Sequence, residues 1–264
     1  MRFPWKGILL ILCIVQGFLL PSKVFALRPF VTTDADVVEP NLIEIELGLG
    51  LFGMHRQKLP GPDELTLEMP SIRFNYGLPW DSEIVLETVS ELIDSEYTGE
   101  LGIKEKQFAN TFGSYKKVWW RAERGGWIPN FATETGAVFP TEKGASGLGF
   151  EGSGIFSWYL KDITCHTTLG GGTTTENGEH GRQGLFLYGI ILDAPVPQYK
   201  KLHLVAEYSG EKVESVLLEH QLLGGMVWEG TKDIEYDVAG FKGLNDESVD
   251  WGMTMGLTFI IGKK

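Results

Sequence analysis

Cysteine is almost missing from this 264-residue chain, which has two, Cys13 and Cys165. Cys13 lies in an N-terminal apolar stretch expected to be removed. The single remaining thiol excludes an intramolecular disulfide framework and a thiolate metal cluster. A basic surplus is missing too: Lys and Arg number 23 against 35 Asp and Glu, for a formal net charge of −12. Nucleic-acid phosphates need a basic face, so no nucleic-acid partner is expected. Past the N-terminus no apolar run reaches the roughly 20 residues of a spanning helix. Nucleophile-elbow, phosphate-loop and H-E-x-x-H patterns are absent. The runs 48–53 and 147–152 both fit G-x-G-x-x-G, but neither opens a helix after a buried strand, so a dinucleotide site is not expected. Glu176, Glu179 and His180 share a loop, which reads as a solvated acidic loop rather than a metal site. The chain does not read as an enzyme and calls for no cofactor.

What is present begins with an export signal over residues 1–26. Arg2 and Lys6 form a basic n-region, Gly7 to Leu20 an apolar h-region, and Val24-Phe25-Ala26 a small-residue cleavage site. Cleavage there removes Arg2, Lys6 and Lys23 and no acid, so the mature chain is more acidic still. In the last strand-like stretch Trp251, Met253, Met255, Leu257, Phe259 and Ile261 alternate with Gly252, Thr254, Gly256 and Thr258. The first such stretch sets Ile43, Ile45, Leu47, Leu49 and Leu51 against Glu44, Glu46, Gly48 and Gly50. A period of two puts large apolar side chains on one face and small or polar ones on the other. One face suits lipid and the other a polar lumen, the pattern of an all-β, antiparallel transmembrane β-barrel.

Twelve alternating segments follow one another, at 42–53, 64–76, 82–91, 109–121, 128–140, 149–160, 163–173, 184–193, 201–210, 216–228, 233–242 and 249–262. The fourth has a competitor at 101–107. These place the barrel at 42–264, preceded by residues 27–41, which read as neither strand nor helix. That segment either folds into the lumen as a plug or hangs as a periplasmic tail; the tail is the preferred reading because terminal segments are mostly poorly tied. Short connections alternate with long, polar, Gly-rich ones, as in barrels with short periplasmic turns and longer external loops. Trp80, Trp119, Trp120, Trp127, Trp158 and Trp228 all lie in or beside the short turns. An indole settles at the headgroup level, so they read as an interfacial aromatic girdle.

At Arg28-Pro29-Phe30-Val31-Thr32-Thr33-Asp34 the chain resembles the opening of a family of bacterial outer-membrane proteins named after the meta-pathway of phenol degradation. Phe74-Asn75-Tyr76-Gly77-Leu78, Gly136-Ala137-Val138-Phe139-Pro140-Thr141, and Val238 to Leu244 with Asn245-Asp246 and the strand from Trp251 are similar to its recurring pieces. The resemblance implies a barrel in the outer membrane of a Gram-negative bacterium and passage of small compounds, hydrophobic ones among them. It carries over no catalytic residue. The sequence runs past Phe259 to Lys264, so either Phe259 still serves the outer-membrane insertion machinery as its signal, or recognition by that machinery is weaker than usual.

Strand parity nominates the lumen-lining set: Glu44, Glu46, Asn130, Glu134, Glu151, His166, His203, Glu207, Glu235, Asp237 and Asp250. An acidic wall would tune which solutes pass, so the expected function is a porin-like passive channel or transporter for a small-molecule solute. Three alternatives stay open: an outer-membrane hydrolase in which His166 or His203 works with Glu207 or Ser153, a closed structural or adhesive barrel, and a secreted soluble sandwich or lipocalin-like carrier. Cys165 should face outward.

Overall fold

The computed structural model describes residues 29–54, 63–97, 102–177, 181–215, 218–246 and 248–262; the expected signal peptide lies outside them. Fifteen strands follow in chain order: β1 (Ile43–Met54), β2 (Asp63–Leu78), β3 (Ser82–Tyr97), β4 (Glu105–Phe108), β5 (Thr111–Trp120), β6 (Asn130–Phe139), β7 (Ala145–Ser146), β8 (Gly149–Leu160), β9 (Ile163–Thr173), β10 (Glu176–Asn177), β11 (Gly184–Val196), β12 (Tyr199–Val213), β13 (Glu219–Glu229), β14 (Ile234–Gly243) and β15 (Trp251–Ile261). Each long strand pairs antiparallel with its neighbours, and β15 returns to β1 with Leu47 opposite Leu257 and Leu49 opposite Met255. The result is a closed antiparallel transmembrane barrel of twelve strands. Closure leaves none of the twelve spanning strands with a free edge, which a bilayer requires because it offers the backbone no water. The shortest of these strands has ten residues. At about 3.3 Å each and tilted by roughly 40°, ten residues cross an apolar band of about 25 Å.

The competition around the fourth strand is resolved by both candidates forming. Thr111–Trp120 is the spanning strand, while Glu105–Phe108 pairs with Ser90–Ile93 of β3. The cause is β3 itself, which runs on to Tyr97 instead of ending at 91. Its outer half stands beyond the reach of β5, and β4 satisfies that backbone. The two-residue strands β7 and β10 pair with each other in the long loops. Nearby, Asn110 donates to Glu142 Oε2 at 2.8 Å; burial, with Glu91 close by, raises the Glu142 carboxyl above its usual range.

Outward positions are apolar around the wall: Leu86, Phe150, Leu169, Ile190, Leu204, Met226, Val238 and Met255 are all exposed. The six tryptophans nominated from sequence lie in or beside the short-turn ends, with Trp80 85 % and Trp127 89 % exposed. Three of these indoles are tied down through their N–H groups. Trp120 donates to the Pro129 carbonyl, Trp158 to the Trp127 carbonyl and Trp119 to Thr133 Oγ1. Cys165 pairs opposite Leu192 and Trp158 on the same outward face.

Candidate functional site

Inward parity should give a polar wall, yet Val85, Val118, Ala132, Ile155, Ile191 and Leu223 are inward and buried. Such side chains have no use in a water-filled lumen. Three of them, Val118, Ala132 and Ile155, are covered by residues 29–42, which lie inside the barrel. Ala35 packs against Val118, Ala132 and Ile155, with Val37 beside them. Of the two placements open to this segment, the structure shows the lumen and not the periplasmic tail. The tail expectation rested on weak tethering of termini, and here the tethering is extensive.

This strap enters at the short-turn rim, where Asn41 N–H donates to Gly77 O at 2.9 Å and Gly77 N–H to Leu42 O at 3.0 Å. Val38 N–H then donates to Glu83 Oε2 at 2.7 Å and Ala35 N–H to Ser157 Oγ at 2.8 Å. Asp36 binds Arg121 at 2.6 Å and accepts from the Tyr159 hydroxyl. Lys116, only 1 % exposed in its side chain, meets Thr33 Oγ1 and Asp34 Oδ1 at 3.2 Å and Glu83 Oε1 at 3.6 Å. At the tip, Glu207 accepts three bonds: from Val31 N–H at 2.8 Å, Thr32 N–H at 2.9 Å and Thr32 Oγ1–H at 2.7 Å. An irregular segment would otherwise bury orphaned amides; the wall's carboxylates and hydroxyls supply the acceptors. Two glycines make the close approach possible. A Cβ on Gly77 would lie 2.1 Å from Glu39 O, and one on Gly189 would lie 2.5 Å from Thr32 Cγ2.

Cavities lie on either side of the tip. One of about 210 Å³ is bordered by Phe30, Arg73, Glu87, Phe112, Glu134 and Glu151. A vestibule of about 790 Å³, nearer the short turns, is bordered by Tyr159, Thr164, Asp193, His203, Glu229 and Glu235. Successive inward residues place the strap between them on two strands. Along β11, Asp193 borders the vestibule, Gly189 touches Thr32, and Leu187 borders the smaller cavity. Along β8 the same order is Tyr159, then Ser157 on Ala35, then Ser153.

The sequence-nominated residues separate into groups. Glu44 and Glu46 are buried and share Asn75, whose Nδ2 donates to both at 2.9 and 3.0 Å. Glu134 accepts from Ser114 Oγ–H at 2.5 Å and stands 3.6 Å from Arg73 Nη2. Glu151 also borders the smaller cavity. Asn130 caps the neighbouring turn through Ala122 N–H at 2.7 Å. Glu235 and Asp237 are buried on the inward face of β14, and Asp250 lies just before β15. Glu207 holds the strap. His203 bonds Asp193 Oδ1 through Nδ1 at 2.7 Å, with Glu229 3.5 Å from Nε2.

The hydrolase pairing takes a different form. His166 bonds Ser157 at 2.7 Å, not Ser153 or Glu207. Ser157 is fully buried and already accepts from Ala35 N–H, so the docked strap covers it. In the loop cluster Glu176 pairs with Arg182 at 3.6 Å, while Glu179 and His180 lie outside the described residues. Parity reading passed over Lys116, Arg73, Ser157 and Glu83. Their inward positions were legible, since Lys116 lies two residues from Ser114 and Val118 on the same face.

No protein-family model and no curated protein matches the chain. Among solved structures it is similar to the NanC porin, at 7 % identity and a TM-score of 0.55, covering 82 % of this chain and 98 % of that one. It is also similar to an anion-selective porin from Comamonas acidovorans (9 % identity, TM-score 0.39, 84 % and 99 % covered). A third is the outer membrane channel DcaP of Acinetobacter baumannii (7 % identity, TM-score 0.34, 86 % and 100 % covered). The likeness to the NanC porin is one of fold.

Proposed function

We propose that the chain is an outer-membrane channel for small molecules, closed at mid-height by its own N-terminal strap. The supporting observation is the order of inward residues on β8 and β11, with strap contacts between two polar cavities. A solute moving between the cavities must displace the tip, residues 30–33, from Glu207 and Gly189. The lumen then presents Glu87, Glu134 and Glu151 against Arg73, a surplus of carboxylate that favours cations and neutral polar solutes over anions. Membership of the phenol meta-pathway family and passage of hydrophobic compounds belong to the same proposal, as does insertion into the bilayer by the outer-membrane assembly machinery.

Planar-bilayer recording of the purified chain beside a variant lacking residues 29–34 tests the reading. Low, intermittent conductance in the parent and a large, steady conductance in the deletion are the expected pair. Silence in both, with the barrel still folded, would establish the closed structural barrel instead.

A further inference from the structure

The outward face of β11–β14 carries no Asp or Glu; every acid on these four strands falls at an inward position. Its charged residues are Lys212 and Lys242, close to the long-loop end of the wall, with Lys200 at the opposite rim. The two lysines are therefore the charges that this face presents at its long-loop end.

Between the two long-loop lysines is a built cluster. Tyr188 Oη and Tyr208 Oη lie 2.6 and 3.0 Å from His220 Nδ1, and 3.3 Å from each other. The Tyr208 and His220 rings stack at 5.9 Å. Gly210 makes the arrangement possible, because a Cβ there would lie 2.6 Å from the Tyr188 hydroxyl. His220 is fixed from behind: its N–H donates to Ser248 Oγ at 2.8 Å, and its carbonyl accepts from Leu244 N–H at 2.9 Å. With Nδ1 accepting from a tyrosine hydroxyl, a neutral imidazole carries its proton on Nε2 and becomes a donor. Register places Lys212 opposite Phe186, and Lys242 opposite Leu222 and Trp251. Donors, two ammonium groups and amphipathic rings therefore share one arc at the depth where lipid headgroups lie.

We infer that this arc is a binding site for a lipid of the external leaflet with a phosphorylated headgroup. The two ammoniums would take the phosphate charge, while the Tyr188–Tyr208–His220 cluster would donate to phosphate or adjoining hydroxyl oxygens. The acyl chains would run down Ile190, Leu204 and Met226 below.

Lipid retention on the purified, folded barrel tests this, using lipid A and its enzymatically dephosphorylated form as probes, read by native mass spectrometry. The parent should retain the phosphorylated form and lose the other. Lys212→Gln with Lys242→Gln should lower retention about tenfold to thirtyfold, from roughly fivefold per lysine near a charged surface. Lys106→Gln, on β4 at the far side, should change nothing. Tyr188→Phe removes one hydroxyl without emptying the site and should lower retention more modestly. Heat-modifiable migration certifies that each variant is folded. Equal retention of the two probe forms by the parent, or parental retention by the double lysine variant, overturns the assignment.

Discussion

Replacing Lys116 with Met isolates the force that keeps the strap in place. The ammonium is the positive centre of a buried cluster with Asp34 on the strap and Glu83 on β3, at 3.2 and 3.6 Å. Methionine preserves the packing and removes the charge, leaving two carboxylates facing each other out of water. Removing one partner of a buried ion pair costs about 3–5 kcal/mol. That cost is avoidable here in a way it is not in a rigid core. If the strap leaves, Asp34 is hydrated and Glu83 gains access to the lumen, so the penalty falls on the docked state alone. At about 1.4 kcal/mol per factor of ten, the undocked population should rise roughly 10²- to 10³-fold.

Val38→Cys reports this directly, because Val38 is buried against the wall while docked. In a Cys165→Ser background the introduced thiol would be the only one in the mature chain. Its maleimide labelling rate follows the undocked population when docking is fast. The expected acceleration is on the order of 10² or more. A rate within about threefold of the parent would refute the claim that the ion cluster holds the strap. Lys116→Met combined with Asp34→Asn and Glu83→Gln removes the stranded charges and should return labelling toward the parental rate. General loosening of the barrel would not be reversed in that way.

Gly189→Val forces a side chain into the space of Thr32, so bilayer recordings should show more frequent opening than the parent; unchanged gating would mean the tip does not approach β11. Glu207→Ala removes three charge-assisted hydrogen bonds, each contributing about 1.5–3 kcal/mol before the recovered solvation of the carboxylate is subtracted, and should likewise raise open probability, whereas Glu207→Gln should do so less. Once the strap is deleted, Glu151→Lys should lower the cation preference measured by reversal potential in a salt gradient; an unmoved reversal potential would take Glu151 out of the conduction path. Met255→Arg puts a charge on the lipid face near the middle of β15 and should cost about 2–4 kcal/mol in reversible denaturant unfolding from lipid.

Strand placement was legible because one physical rule, opposite faces in opposite media, acts on every spanning segment. The terminal alternation from Trp251 to Ile261 and the opening one from Ile43 to Leu51 turn out to be partners across the closure. Inward parity was legible for the same reason, so Glu46, Glu134 and Glu207 all face the interior. What each carboxylate does there was not. Glu207 works through Thr32, 175 positions away, and Lys116 through Asp34, 82 away. No local period records such contacts, and an irregular segment whose amides find acceptors on the wall looks in sequence like any loose terminus.

One signal could have revealed the strap, and it argues against a simple pore. Val118, Ala132 and Ile155 sit on inward parity in three neighbouring wall strands, β5, β6 and β8. Exposed to lumen water, each would forgo the roughly 1.5–3 kcal/mol that burial of such a side chain contributes, alanine less. A barrel selected only to conduct would have little reason to keep an apolar stripe there, beside a lysine that needs a counter-charge. Stripe and lysine become consistent once something apolar and acidic lies across them, and residues 34–37, Asp-Ala-Asp-Val, are that sequence. The arc of β11–β14 has buried inward apolar side chains of its own, Ile191, Val205, Leu223 and Ala239, but toward the short turns it gives way to Asp193, His203, Glu229 and Glu235, which border the open vestibule. The inner wall therefore has an apolar stretch against the strap on β5, β6 and β8 and a polar rim that faces the vestibule. Converting Val118 and Ile155 to Thr, nearly the same shape but polar, should weaken docking without touching the ion cluster. Val38→Cys labelling should then accelerate, and by less than in Lys116→Met, since the buried pair stays intact; labelling as slow as the parent's would show that the stripe contributes nothing to docking.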